Sequence, residues 1–92
     1  MKHIVMWKLR DKSEAAAIKA RLDALAGNIP GLISLEVGID FLGSAQSADL
    51  ALVAELESRE ALESYQNHPL HQAVVSLLKA AAISRTVIDY TL

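Results

Sequence analysis

The sequence predicts one α+β domain, in which helices cover one face of an antiparallel four-stranded sheet. Strand-like alternation of apolar residues occurs near both chain ends and twice in the middle, and helical spacing separates these segments in two places. The resulting order, β-α-β-β-α-β, is the split β-α-β arrangement with right-handed crossovers. The length of 92 residues suits a single domain over residues 1–92, without repeats or linkers.

The first strand is predicted from His3 to Leu9 and leads directly into a helix. One strand face carries His3, Val5, Trp7 and Leu9, and the other carries Ile4 and Met6. Asp11 and Glu14 have the spacing of a capping box, which predicts that the helix begins there. Apolar residues then recur at helical intervals, namely Ile18, Leu22, Leu25 and Ile29. The helix is expected to end near Gly27.

The middle of the sequence predicts a long hairpin. The segment Asn28–Gly31, "NIPG", stops the first helix and turns the chain. Alternating apolar residues from Ile33 to Ile39 predict the second strand, with one face buried. The small and polar residues Gly43–Asp49 form the connection. A further alternating run over Leu50–Leu56 predicts the third strand.

A broken helix and a last strand are predicted for the rest of the chain. Ser58 is a suitable N-cap for the first helical segment. Pro69 disfavours a helical conformation at His68 and is favourable as the first residue of a new helix, so we expect a corner at His68. Alternation over Arg85–Tyr90 predicts the fourth strand.

One face of the predicted sheet has no helix to cover it. It is expected to carry Ile4, Met6, Ala51, Val53 and Val87. Monomeric soluble proteins rarely expose a contiguous apolar patch of this kind. We therefore predict a homodimer formed through this open sheet face.

Composition excludes several classes of function. The net charge is −2 and the basic residues are scattered, so no basic stripe for nucleic acid is present. Absence of cysteine excludes disulfides, thiolate nucleophiles and cysteine-ligated metals. No apolar run is long enough to cross a bilayer, and the first residues do not resemble a secretory signal. We expect a soluble cytoplasmic protein that binds neither nucleic acid nor membrane.

The segment "SYQNHPLHQ", Ser64–Gln72, concentrates the residue types of acid and base chemistry. His71 is predicted near the start of the helix that Pro69 opens, where the positive helix terminus favours a neutral imidazole that can accept a proton. His3 is expected to project toward the same end of a cleft between sheet and helices. Tyr65 and His71 are the candidate catalytic pair.

The same segment also has a structural explanation. Tyr65 at helical spacing from its apolar neighbours is typical of a half-buried tyrosine, and His68 is expected to close the corner with a hydrogen bond. A metal site of His3, His68 and His71 does not match an uninterrupted helical ligand pair. Asp49 and Asp89 more often end strands in solvent. We predict no metal and no cofactor, and a structural role for His68 and Pro69.

Five segments together resemble the stress-responsive A/B barrel (Dabb) family. They are "KHIVMWKL", "IPGLISLEVG", "SADLALVAELES", "YQNHPLH" and "RTVIDY". The resemblance implies a ferredoxin-like dimeric α+β barrel whose subunits each keep a cleft between sheet and helices. One member of this family, a plant polyketide cyclase, performs an intramolecular aldol condensation without a cofactor, and its catalytic histidine and tyrosine match His71 and Tyr65. His3 matches a cleft histidine, whereas Leu50 replaces another.

Three functions are consistent with these observations. The first is acid/base chemistry on a small apolar carbonyl compound, with Trp7, Leu50 and Leu52 lining the cleft beside His3. The second is a non-catalytic stress-response or ligand-binding module. The third is a cofactor-independent monooxygenase of the related dimeric barrel type. An open cavity of a few hundred Å³ beside His71 and Tyr65 would favour ligand binding over a filled core.

Overall fold

The computed structural model describes residues Met1 to Leu92 and contains four strands and three α-helices. The elements are β1 (Lys2–Leu9), α1 (Ala15–Asp23), β2 (Leu32–Ile39), β3 (Leu50–Leu56), α2 (Arg59–Asn67), α3 (Pro69–Ala81) and β4 (Ala82–Tyr90). All neighbouring strands are antiparallel, in the order β2-β3-β1-β4. The predicted α+β fold with split β-α-β order is therefore confirmed.

The two central strands, β1 and β3, supply most of the sheet's contribution to the core. In β3, Leu50, Leu52, Ala54 and Leu56 are all at most 1% exposed, as the alternation predicts. In β1, Val5, Trp7 and Leu9 are buried on the same side, facing the helices. None of the α-helices has the length and apolar composition that a membrane-spanning segment needs.

The first helix is shorter than predicted at both ends. Asp11 accepts a hydrogen bond from the backbone N–H of Ser13 at 3.0 Å and caps a 3₁₀ turn, so α1 begins only at Ala15. After Asp23 the backbone changes to tighter bonds, such as that from the N–H of Leu25 to the carbonyl oxygen of Leu22. Such tightening satisfies the last carbonyls of a helix.

The predicted face of Val87 is wrong. Val87 pairs with Val5, whose side chain faces the helices, and directly opposite residues of an antiparallel pair share a face. Ile88 pairs with Ile4 instead and takes the place of Val87 on the uncovered side. Both alternating sets of this strand contain apolar residues, so periodicity could not distinguish its faces. The open sheet face therefore consists of Ile4, Met6, Ala51, Val53 and Ile88.

A bulge in β2 changes the start of the predicted alternation. The pairing register with β3 shifts between Leu32 and Ser34, so Ile33 is the additional residue and is 58% exposed. Leu32 pairs with Leu56 and takes the inward position predicted for Ile33. A bulge places two residues opposite one, which reverses the alternation on one side of it.

Asp49 is not a solvent-exposed strand end, contrary to the expectation. The residue is 5% exposed, and Oδ2 accepts a hydrogen bond from the backbone N–H of Leu9 at 2.8 Å. The ammonium group of Lys12 lies 3.6 Å from Oδ1. Asp49 thus joins the end of β1 to the start of β3.

Replacing Gly31 with alanine is expected to destabilise the fold more than the same change at Gly27. Both glycines have positive φ, 84° and 78°, which costs an alanine about 1–2 kcal/mol. Only at Gly31 would the new Cβ lie 2.8 Å from the Cβ of Ala61, on α2. The difference between the unfolding free energies of the two variants, measured by chemical denaturation, isolates this steric cost. Equal losses of stability would show that α2 moves away from the new Cβ at no cost in free energy.

Candidate functional site

The corner between α2 and α3 is fixed by His68 and Pro69. His68 has an extended backbone, with ψ of 134°, as expected before proline. Its Nδ1 accepts a hydrogen bond from the backbone N–H of Leu70 at 3.2 Å, so the imidazole caps α3. The predicted helix break at His68 is confirmed, and this ring is engaged in local structure.

Tyr65, in the last turns of α2, is completely buried. Its hydroxyl oxygen has no hydrogen bond partner in the protein. Burial disfavours the phenolate and raises the pKa of Tyr65 to about 12. The side chain therefore keeps its proton at neutral pH and can act as a hydrogen bond donor.

His71 is the third residue of α3 and lies against Tyr65, with ring centroids 4.2 Å apart. Its Nδ1 is 3.3 Å from the carbonyl oxygen of Gln66. A carbonyl oxygen only accepts hydrogen bonds, so Nδ1 carries the proton and the lone pair lies on Nε2. Burial lowers the pKa of His71, the hydrogen bond to the carbonyl oxygen of Gln66 opposes this in part, and the proximity of His3 and Arg85 adds smaller contributions in the same direction as burial. His71 is thus a neutral imidazole with a basic nitrogen at neutral pH.

His3 lies on the helix-facing side of β1 and is 2% exposed. Its ring meets that of Tyr65 edge to face, with centroids 5.9 Å apart. The antiparallel register places Asp89 directly opposite His3, and Nδ1 lies 2.5 Å from the Asp89 carboxylate. Asp89 therefore orients His3 and is not simply a strand end in solvent. Three rings, of His3, Tyr65 and His71, thus form one connected group.

A cavity of about 400 Å³ lies between the sheet and the helices beside these rings. Of the residues predicted to bind a ligand or act on it, His3, Trp7, Leu52, Tyr65 and His71 line this cavity. The other lining residues are Val5, Leu22, Gln66, Val74, Val75, Leu78, Lys79, Ala82, Ile83, Ser84 and Arg85. The volume is that of a site for a small organic molecule.

Leu50 does not line the cavity, contrary to its predicted ligand-binding place. It is 1% exposed and lies at the start of β3, opposite Trp7 and Ile39. The antiparallel register places Leu52, and not Leu50, opposite Val5, which is a lining residue. Alternation identified the correct face of β3 but not the position along it.

The part that five polar residues play in the site was not predicted from the sequence. Gln66, Lys79, Ser84 and Arg85 line the cavity, and Asp89 binds His3. Gln66 lies within the segment Ser64–Gln72, but it contacts His71 through its backbone carbonyl oxygen. No pattern of side chains predicts such a contact. The positions of Arg85 and Asp89 depend on strand register, because each faces a β1 residue across the ladder. No group of three or more histidine, aspartate or glutamate side chains is arranged to hold a metal ion.

The chain is similar to a known protein family over its whole length. The stress responsive A/B barrel domain (Dabb) profile matches residues 1–92. A dimeric protein with a ferredoxin-like fold from Bacteroides fragilis is 30% identical, with a TM-score of 0.87 over 99% of this chain and 94% of that chain. No curated protein matches.

Two further solved structures share the fold. A dimeric ferredoxin-like protein from Thermobifida fusca is 26% identical, with a TM-score of 0.86 over 99% of this chain and 89% of that chain. The hydroxynitrile lyase from Passiflora edulis is 16% identical, with a TM-score of 0.84 over 99% of this chain and 91% of that chain. The matched profile covers the whole chain, and the chain therefore belongs to the stress-responsive A/B barrel (Dabb) family.

Proposed function

We propose that the cavity binds a small apolar molecule with a carbonyl group and that His71 and Tyr65 perform acid/base chemistry on it without a cofactor. The observation that carries this proposal is the pairing of a neutral histidine and a protonated tyrosine on the wall of a cavity of about 400 Å³. Their pKa values are shifted in opposite directions by the same cause, burial, which suits a base beside a hydrogen bond donor.

The proposed reaction is of the aldol or cyclisation type. Nε2 of His71 removes a proton from the carbon next to the carbonyl group, and the electron pair moves to the carbonyl oxygen. The hydroxyl of Tyr65 donates a hydrogen bond to this developing oxyanion. The carbon then attacks a second carbonyl of the same molecule, and the imidazolium returns its proton to the new alkoxide. Asp89 holds His3, whose ring packs against Tyr65, so this pair positions the donor.

A non-catalytic ligand-binding module is the second candidate. The hydroxyl of Tyr65 is buried as well as unpartnered, so a ligand reaches it only if neighbouring side chains move. This burial favours binding without turnover. The hydroxynitrile lyase from Passiflora edulis supports the enzymatic candidate, because it has the same fold and its name is that of an enzyme.

Hydrogen–deuterium exchange of methyl hexyl ketone in deuterated buffer distinguishes the enzyme from the ligand-binding module. Exchange of the protons next to the carbonyl group needs only the base and the hydrogen bond donor. We expect chemical-shift changes at cavity residues and an exchange rate above that of buffer. Binding without accelerated exchange would leave the ligand-binding module as the function. Absence of binding would contradict both candidates for ligands of this size.

We also propose a homodimer formed through the open sheet face. On this face Met6 is 41% exposed and Ile88 is 56% exposed in the single chain. Monomers rarely leave contiguous apolar surface of this kind in water. The relatives from Bacteroides fragilis and Thermobifida fusca, which are 30% and 26% identical, are described as dimeric.

Replacing Val53 with lysine is expected to convert the dimer to a monomer. Val53 pairs with Ile4 in the middle of the open sheet face, so the substitution would place an unpaired charge inside the interface. Light scattering measures the mass directly. The matched control is Arg59→Lys, on an exposed position of α2 that is remote from this face. A native protein of monomer mass would contradict the proposed dimer.

A further inference from the structure

The cavity has two chemically different ends. One end holds the rings of His3, Tyr65 and His71. The other lies at the corner between α3 and β4, where Lys79 and Arg85 line the cavity and are exposed. Arg85 faces the helices because it pairs with Trp7, which is buried on that side of the sheet. A basic side chain is therefore placed on the inner face of an edge strand.

These two basic groups have no acidic partner. Neither Lys79 nor Arg85 takes part in any of the four ion pairs, and no aspartate or glutamate lines the cavity. The remaining walls are mostly apolar. A guanidinium and an ammonium at the opening of an apolar cavity form a site for an anionic group, and the planar guanidinium matches a carboxylate.

The distance between the two ends follows from the elements that carry them. His71 and Lys79 are eight residues apart in α3, which is ~12 Å along the helix axis. The pairs His3–Asp89 and Trp7–Arg85 are four residues apart in the ladder, which is ~13 Å along the strand. Helix and strand thus give the same backbone span. The long side chain of Arg85 shortens the gap, since its charge contributes to the lowered pKa of His71.

We propose that the ligand is an apolar carboxylic acid, with its carboxylate at Arg85 and Lys79 and its carbonyl group at His71 and Tyr65. This inference rests on the proposed function, and it specifies the substrate class of the same cavity. The unpartnered hydroxyl of Tyr65 is the second observation that points to a polar group of a ligand, at the opposite end from the two basic residues. A keto acid carries both groups in one molecule, and a second ketone in its chain would supply the electrophile of the proposed cyclisation.

Three matched probes test the inference. They are methyl hexyl ketone, ω-acetylhexanoate, which is the same ketone with a carboxylate at the far end of the chain, and the methyl ester of that acid. We expect the acid to bind about tenfold more tightly than its ester at neutral pH, as for a charge-assisted hydrogen bond. Calorimetric titration measures the three dissociation constants.

Variants that each remove one positive charge test whether Arg85 and Lys79 cause the preference for the acid over the ester. Arg85→Gln is expected to abolish most of the preference for the acid over the ester, and Lys79→Gln to reduce it. Arg21→Gln, which removes an equal charge from an exposed position of α1 outside the cavity lining, is expected to retain the preference. Retention of the preference in both cavity variants would overturn the inference.

The probes also separate this inference from the proposed function. Binding of the ketone and the ester without tighter binding of the acid would overturn the inference and leave the proposed function intact. Failure of all three probes to bind would contradict the proposed function and the inference together.

Discussion

The Leu50→Lys variant is expected to lose about 4 kcal/mol or more of folding free energy, which is a large part of the stability of a small domain. Leu50 is 1% exposed and lies between Trp7 and Ile39 in the register of the sheet. The substitution removes a buried leucine and introduces an ammonium group with no acidic partner. Because Leu50 does not line the cavity, no ligand pocket is available to accommodate the new side chain.

Val53→Lys is the matched control for this prediction, because it makes the same apolar-to-charged change on the same strand but at a half-buried position of the open sheet face. The Val53→Lys variant is expected to be a monomer, in which the lysine stays in water and the helix-facing core is intact. Its loss of stability is expected to be smaller than that of Leu50→Lys, with both measured at high protein concentration. The reverse order of unfolding free energies would show that the sheet faces are assigned wrongly.

Most of the fold was predictable because it depends on local periodicity. The alternation in β3 identified all four of its buried residues, and proline identified the corner at His68. The errors arose where long-range pairing decides the outcome. Val87 was placed on the wrong face because both faces of β4 offer apolar residues, and only the ladder with Val5 distinguishes them.

The candidate site was predictable in part for the same reason. Tyr65 and His71 are close in sequence, and one helix corner brings their rings together. In contrast, Asp89 is 86 residues away from His3, and only the pairing of β1 with β4 makes them neighbours. The carbonyl oxygen of Gln66, which fixes the tautomer of His71, is a backbone group and has no signature in the sequence.

The His71→Ala variant is expected to lose the accelerated deuterium exchange of methyl hexyl ketone by a factor of about 100 to 10,000. Nε2 of His71 carries a free lone pair, and the raised pKa of Tyr65 prevents its phenolate from substituting as a base at neutral pH. Tyr65→Phe is expected to lower exchange while the ketone still binds, because this change removes only the hydrogen bond donor. Nuclear magnetic resonance follows exchange and binding in the same sample.

The pH profile and a second histidine variant distinguish a catalytic His71 from a merely structural one. Burial lowers the pKa of His71 below its ordinary value of 6.5, so wild-type exchange should persist below pH 6.5 and fall only as His71 becomes protonated. His68→Ala, which removes the cap of α3, should cost about 1 kcal/mol of stability yet keep this profile. Folding stability depends on the same proton. Because the pKa of His71 is lower in the folded than in the unfolded chain, the unfolded chain is protonated first, and the contribution of His71 to stability declines as the pH falls below 6.5. Full exchange in His71→Ala, with an unchanged acid limb, would assign the base to another group and leave His71 as a packing residue of the cavity.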